Sequence, residues 1–206
     1  MNRILIAIII LISFLSLGYF AIFKYNNDSN KKTFYGIYYG KDAPDFILRD
    51  QDGNQVSLGQ YMGKDVLLSF GYTSCPDICP TTLAKLSSMM ELLPDSTEKV
   101  QVLFITIDPE RDTERRLKEF IPYYNENFIG LTGKAEDIKK VADSYSVFYQ
   151  RAESRYSEAS YFMDHTQTVF LIDHRGKLML IYPYENLSPE KIASDITRTF
   201  QAADSS

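Results

Sequence analysis

Cysteine is scarce in this 206-residue chain, which has two, and histidine is equally scarce. Two cysteines cannot build the dense disulfide framework of a small secreted fold. With 45% hydrophobic residues, a domain of this length forms a core without one, so the pair points to chemistry rather than to stapling. An excess of positive charge is also lacking: 22 Lys and Arg against 27 Asp and Glu leave a formal charge of −5, with no basic footprint for nucleic acid. Internal repeats and low-complexity tracts are missing, which argues against solenoids and biased disordered segments. What is left is one soluble domain behind a distinctive N-terminus.

That N-terminus holds the one long apolar run, Ile4 to Phe23, interrupted only by Ser13, Ser16 and Gly18. At about 1.5 Å per residue it reaches roughly 30 Å, the thickness of a bilayer's hydrocarbon core, which predicts a transmembrane helix over 4–23. A cleaved signal peptide is the competing reading, but the run is longer than a usual signal core and no small-x-small cleavage site follows it. No cysteine lies there to carry a lipid. Arg3 stands on one side and Lys24, Lys31 and Lys32 on the other, so charge alone leaves the orientation open. The usual course of an N-terminal anchor puts the following domain outside the cytoplasm. The lack of an Arg- and Ser-rich presequence favours a bacterial cell membrane, with the domain on its periplasmic side. Residues 24–40, polar and then rich in Tyr and Gly, read as a tether, and 41–206 as the domain.

Within the domain, "DFILRDQDGNQVSL" places short apolar runs around an Asp-Gly turn and predicts a hairpin. "DVLLSF" (65–70) and "VQVLFITI" (100–107) are continuous apolar runs of the kind buried on both faces of a parallel sheet. "TVFLID" (168–173) and "KLMLIY" (177–182) flank the turn His174-Arg175-Gly176. Helical spacing marks Leu83, Leu86, Met90 and Leu93, then Leu117, Phe120, Ile121 and Tyr124, then Ile138, Val141, Ala142 and Tyr145. Ser188-Pro189 caps a last helix with Ile192, Ile196 and Phe200. The order hairpin, β, α, β, α, α, ββ, α predicts an α/β three-layer sandwich with a central mixed sheet, and it resembles the thioredoxin fold.

Both cysteines fall in "GYTSCPDICP", at the carboxyl end of the first buried strand and the start of a helix. Unpaired N–H groups and the helix dipole favour thiolate there, as a nucleophile or a metal ligand requires. Packing as small apolar residues is the common fate of an isolated cysteine, but two in five residues among Pro, Asp, Ser and Thr argue against it. Redox dithiol and metal clamp are the competing chemistries. The spacing Cys75 to Cys79 is one residue longer than the C-x-x-C of thioredoxin-like oxidoreductases, although it does not exclude a disulfide.

Histidine separates the two. His174 lies in a polar turn and reads as a solvated loop residue, whereas His165, in "FMDHTQTVFLID", precedes a buried strand at a sheet end where it can meet the cysteine loop. Two thiolates and an imidazole form a soft, three-coordinate set that suits Cu(I); structural zinc normally takes four closed ligands. Asp77, Asp164 and Met163 are weaker candidates for a fourth donor, since Asp at a turn is usually a cap and Met is usually core.

The stretches "GYTSCPDICPTTL", "TIDPERDT" and "FMDHTQTVFLID", behind an apolar anchor, resemble the SCO/SenC family. These are membrane-anchored thioredoxin-fold proteins that help assemble the copper centre of cytochrome c oxidase. The resemblance implies that Cys75, Cys79 and His165 bind a copper ion. It implies a copper chaperone rather than an enzyme, whose partner is the copper-bearing oxidase subunit, with another copper carrier or a thiol reductase as further partners. The element from Asp108 to Thr113 reads as a helix cap near Thr113, or as a group acting behind the ligands or facing a partner. No proline stands in "HTQTVFLID", where thioredoxins carry a cis-proline, and Ser74 occupies a position where relatives often have His. A thiol-disulfide oxidoreductase with Cys75 as nucleophile, reducing the cysteines of the copper-accepting subunit, is the rival reading. A plain interaction domain with an idle disulfide is the third.

Overall fold

A computed structural model describes residues 11–13, 15–20, 34–93, 98–153 and 161–203. The chain divides into two compact units, Met1–Tyr35 and Gly36–Ser206. In the first, residues 11–13 and 15–20 are helical and exposed. Among the described residues no helix is long and apolar enough to cross a membrane, and the rest of the expected span 4–23 lies outside them.

Among the described residues the second unit contains ten strands: β1 (Ile37–Asp42), β2 (Ile47–Asp50), β3 (Gln55–Ser57), β4 (Asp65–Gly71), β5 (Val100–Thr106), β6 (Ile129–Thr132), β7 (Tyr149–Glu153), β8 (Tyr161–His165), β9 (Thr168–Ile172) and β10 (Lys177–Pro183). Its helices are α1 (Ile78–Glu91), α2 (Glu114–Phe120), α3 (Ala135–Ser144) and α4 (Pro189–Ala203). Eight strands form one mixed sheet in the order β1-β10-β9-β4-β5-β6-β2-β3, and β7 and β8 form a separate two-stranded sheet. β4, β5 and β6 run parallel, while β9 lies antiparallel against β4.

The continuous apolar runs predicted the centre of this sheet. All seven positions of β4 and all seven of β5 are buried, so both faces of these strands are covered and alternation has no reason to appear. Gly71 pairs with Thr106, bringing the carboxyl ends of the two strands level. α1 buries Leu83, Leu86, Met89 and Met90, and it packs beside α4, which buries Ile192 and Ile196. Thr113 caps α2 by accepting from the Arg116 N–H at 3.3 Å, as the sequence suggested. Gly176 closes the β9–β10 turn at φ +80°, and the buried Asp173 accepts from the N–H groups of Arg175 and Lys177.

Four strands and one histidine depart from expectation. β1 starts in the last four residues of the stretch expected to be a tether and runs into the domain; it is an edge strand, paired among the described residues with the distant β10 and exposed over most of its length, so it carries no buried period. β6 has four residues and β7 and β8 five each, too short for an alternation to register. His174 is not a solvated loop residue: its side chain is 16% exposed, its ring stacks on Phe200 at 5.6 Å, and its N–H donates to the buried Asp65 carboxylate at 2.9 Å.

Candidate metal centre

The cysteine loop leaves the sheet at Gly71 and enters α1 at Ile78. A Cβ at Gly71 would stand 2.7 Å from the Phe104 ring and 2.8 Å from Cys79 Sγ, so glycine there lets the sulfur approach the strand end. Cys79, in the first turn of α1, is 3% exposed, and Cys75 is half-buried at the rim. The Cys75 N–H donates to the Tyr72 carbonyl at 3.2 Å, and the Cys79 N–H points at Cys75 Sγ at 3.4 Å. The loop folds back so that the helix start faces its own first sulfur.

His165 arrives from the other end of the domain. It closes β8 opposite Tyr149 of β7, and Thr166 ties the base of that hairpin by donating its N–H to the Phe148 carbonyl at 2.9 Å. His165 Nδ1 lies 2.9 Å from the Thr166 carbonyl oxygen. A carbonyl only accepts, so Nδ1 carries a hydrogen, and Nε2 is the nitrogen that faces Cys79 Sγ at 3.6 Å. Tyr72 braces the imidazole edge to face, with ring centres 6.1 Å apart.

The two thiols are driven in opposite directions. A hydrogen bond from the Cys79 thiol pulls Cys75 down to about 3, helped by His165 and by the N–H groups of Cys79 and Asp77 against the opposing effect of burial. That same bond, with burial and the charge on Cys75, pushes Cys79 up. One proton is therefore held between two sulfurs, with the thiolate on the accessible one.

Among the described residues no group of three or more His, Cys, Asp and Glu side chains is drawn together closely enough to hold an ion as it stands. Cys75, Cys79 and His165 are nonetheless neighbours whose donor chemistry fits a soft ion. A cleft of about 410 Å³ opens beside them, lined by Cys75 and His165 and also by Asp77, Met163 and Asp164, the weaker candidates for a further donor. Asp77 and Asp164 are exposed, and Asp77 makes no side-chain cap to α1.

The segment from Asp108 to Thr113 does more than cap a helix. The Asp112 carboxylate is fully buried and accepts from the Thr73 N–H at 2.9 Å, the Thr73 hydroxyl at 2.6 Å and the Thr106 hydroxyl at 2.7 Å. It thereby fastens the cysteine loop to the end of β5. Asp108 accepts from the Tyr161 hydroxyl at 2.8 Å and pairs with Arg111, whose Nη1 donates to the Tyr161 carbonyl at 3.1 Å. One short segment thus contacts both halves of the site. These links span 39 and 53 residues; the run of acids in the sequence was the only signal of them.

Residues 40–201 match the SCO1/SenC family. The chain is similar to a SCO2-like protein of Rickettsia felis, 41% identical over 152 residues that cover 74% of each chain. It is also similar to the crystal structure of Arabidopsis thaliana ScoI with copper bound, at 32% identity and a TM-score of 0.72, covering 78% of this chain and 98% of that one. BsSco, a member of the Sco family of cytochrome c oxidase assembly proteins in which a disulfide switch has been identified, is 26% identical with a TM-score of 0.63, covering 80% and 96%.

Proposed function

Because this chain belongs to the SCO1/SenC family, we propose that it carries copper for the assembly of cytochrome c oxidase and holds the ion through Cys75, Cys79 and His165. The observation that carries this reading is the 3.6 Å approach of His165 Nε2 to a sulfur 86 residues away in sequence. Two sulfurs and one nitrogen supply the soft, low-coordinate environment that Cu(I) prefers. Cys75 at the rim and the adjoining cleft leave room for an incoming donor, so the ion passes by ligand exchange: the acceptor's first sulfur or nitrogen binds before the last of these three lets go. Cys79, the more buried ligand, is the last to release. The apolar run 4–23 is proposed as a single membrane anchor and the polar stretch after it as the tether, with the domain outside the cytoplasm and beside the copper-bearing subunit it serves.

The test is chelator competition for Cu(I) with the reduced full-length chain. Cys75→Ser, Cys79→Ser and His165→Ala should each weaken uptake. Reduced wild-type protein that takes up no copper at equal concentration would falsify the reading.

A second role, reduction of the acceptor's cysteines, is favoured by one observation: Cys75 stands half-buried at the rim beside the buried Cys79, whose hydrogen bond pulls the first thiol down while its own is pushed up, the pairing a thiol-disulfide exchange needs. In that reaction the Cys75 thiolate attacks the acceptor disulfide, the Cys79 sulfur displaces the acceptor from the mixed disulfide, and the two electrons leave with the acceptor dithiol. His165→Ala separates the roles, because disulfide exchange should survive the loss of the imidazole and tight copper binding should not.

A further inference from the structure

The strand that presents His165 is not part of the large sheet, so no ladder from the core fixes it. Its far end, however, is gripped. Tyr161 starts β8 and His165 ends it, and the period of two puts both on one face of the strand, about 13 Å apart. The Tyr161 ring lies under two guanidinium groups, Arg111 at 3.7 Å and Arg151 at 3.8 Å from its centre. Two such groups at one distance cannot share a face, so the ring is sandwiched between them. Each arginine is itself held, Arg111 by Asp108 and Arg151 by Glu110 at 2.6 Å. The Tyr161 hydroxyl donates to Asp108 and its carbonyl accepts from Arg111, so main chain and side chain are seized together. Arg111 also lies 5.7 Å from the ring centre of Tyr72, the residue that braces the imidazole.

We propose that Tyr161, clasped by Asp108, Arg111 and Arg151, is a latch that holds the β7–β8 hairpin where His165 meets the cysteines. Tyr161, Arg111 and Arg151 are positioning residues: they act on the metal only through His165, and in that respect the inference rests on the copper reading above. Opening the latch frees the far end of the hairpin and draws the imidazole away, while the two sulfurs, fastened by Asp112 and α1, stay in place.

Cu(I) chelator competition on the reduced full-length chain tests this with Tyr161→Leu, Tyr161→Phe and Arg151→Met, each made also in the His165→Ala background. Tyr161→Leu should lose about 10- to 100-fold in affinity, the range for groups that orient a ligand. Tyr161→Phe, which keeps the sandwiched ring, should lose less. In the His165→Ala background both losses should vanish, because the group the latch positions is gone. An unchanged affinity in Tyr161→Leu, or an equal loss in both backgrounds, overturns the proposal. Should Tyr161→Leu fail to fold, Tyr161→Phe and the exposed-face Arg151→Met carry the comparison. Metal-free protein gives an independent readout, since two histidines give two sets of imidazole resonances. Displacement of the His165 set with the His174 set unmoved supports the latch, and an unmoved His165 set refutes it, even if the wild type proves to bind no copper.

Discussion

Asp112 is the residue on which the cysteine loop hangs, although nothing in its chemistry makes it a metal donor here. Its carboxylate satisfies three buried donors, and removal strands all of them. Each unsatisfied buried group costs about 1–3 kcal/mol, so Asp112→Ala should lower the unfolding free energy by at least about 3 kcal/mol in a urea titration. Gly71→Ala is smaller in chemistry but not in effect. The added methyl meets the Phe104 ring, itself 1% exposed, and Cys79 Sγ, and the crowding should cost about 1–3 kcal/mol by the same measurement. At this scale the sequence was legible where a residue type is rare and reactive: Cys75, Cys79 and His165 stood out because thiolate and imidazole have few idle uses. It was opaque where a common residue acts by position. Asp112 and Tyr161 look ordinary until the fold brings their partners to them across tens of residues.

Elements were readable in proportion to how much of their pattern they carry themselves. β4, β5, β9 and β10 announce themselves as apolar runs, and α1 and α3 as stripes, because burial imposes a period on a long enough segment. β1 owes its existence to a distant partner, and the short polar β7 has only its hairpin neighbour β8 to make it a strand. The junction of β4, the β9–β10 turn and α4 shows how elements are tied once they meet. Asp65 begins β4, fully buried, and accepts from the His174 N–H and from the Thr199 hydroxyl of α4. Burial pushes its carboxyl up from 3.8 to about 6, against the pull of the Thr199 and His174 hydrogen bonds. A carboxyl raised on folding adds stability that is full below its unfolded value and is lost as pH rises through the folded one. Between pH 4 and pH 7 that loss is about 2 kcal/mol. Asp65→Asn keeps the hydrogen-bond shape without the charge, so its unfolding free energy relative to wild type should improve by that order as pH rises over the interval. A difference that stays flat across those pH values would show that the carboxyl titrates normally in the fold.

At the scale of the whole molecule, the site exists only when the sheet and the separate β7–β8 hairpin have both formed and met, since its cysteines and histidine lie 86 residues apart along the domain. A ligand that binds only such an assembled site stabilises the native state by mass action, by about 2.7 kcal/mol at a free concentration one hundred times Kd. Cu(I) should therefore raise the thermal midpoint of the reduced protein under anaerobic conditions and leave that of Cys79→Ser nearly unmoved. The layered α/β architecture followed from the pattern of runs and stripes, whereas the detached hairpin that delivers His165 did not, because nothing in its sequence says which body it will lean on. The bond from His165 Nδ1 to the carbonyl of the very next residue has a last consequence. The Nδ1 side of the ring is tied to its own chain, so Nε2 is the nitrogen always turned toward the sulfurs. With the thiol of Cys75 held low and that of Cys79 held high, copper uptake near neutrality should release a proton from Cys79, and calorimetry in buffers of different ionisation enthalpy, with Cys79→Ser as the comparison, will count it.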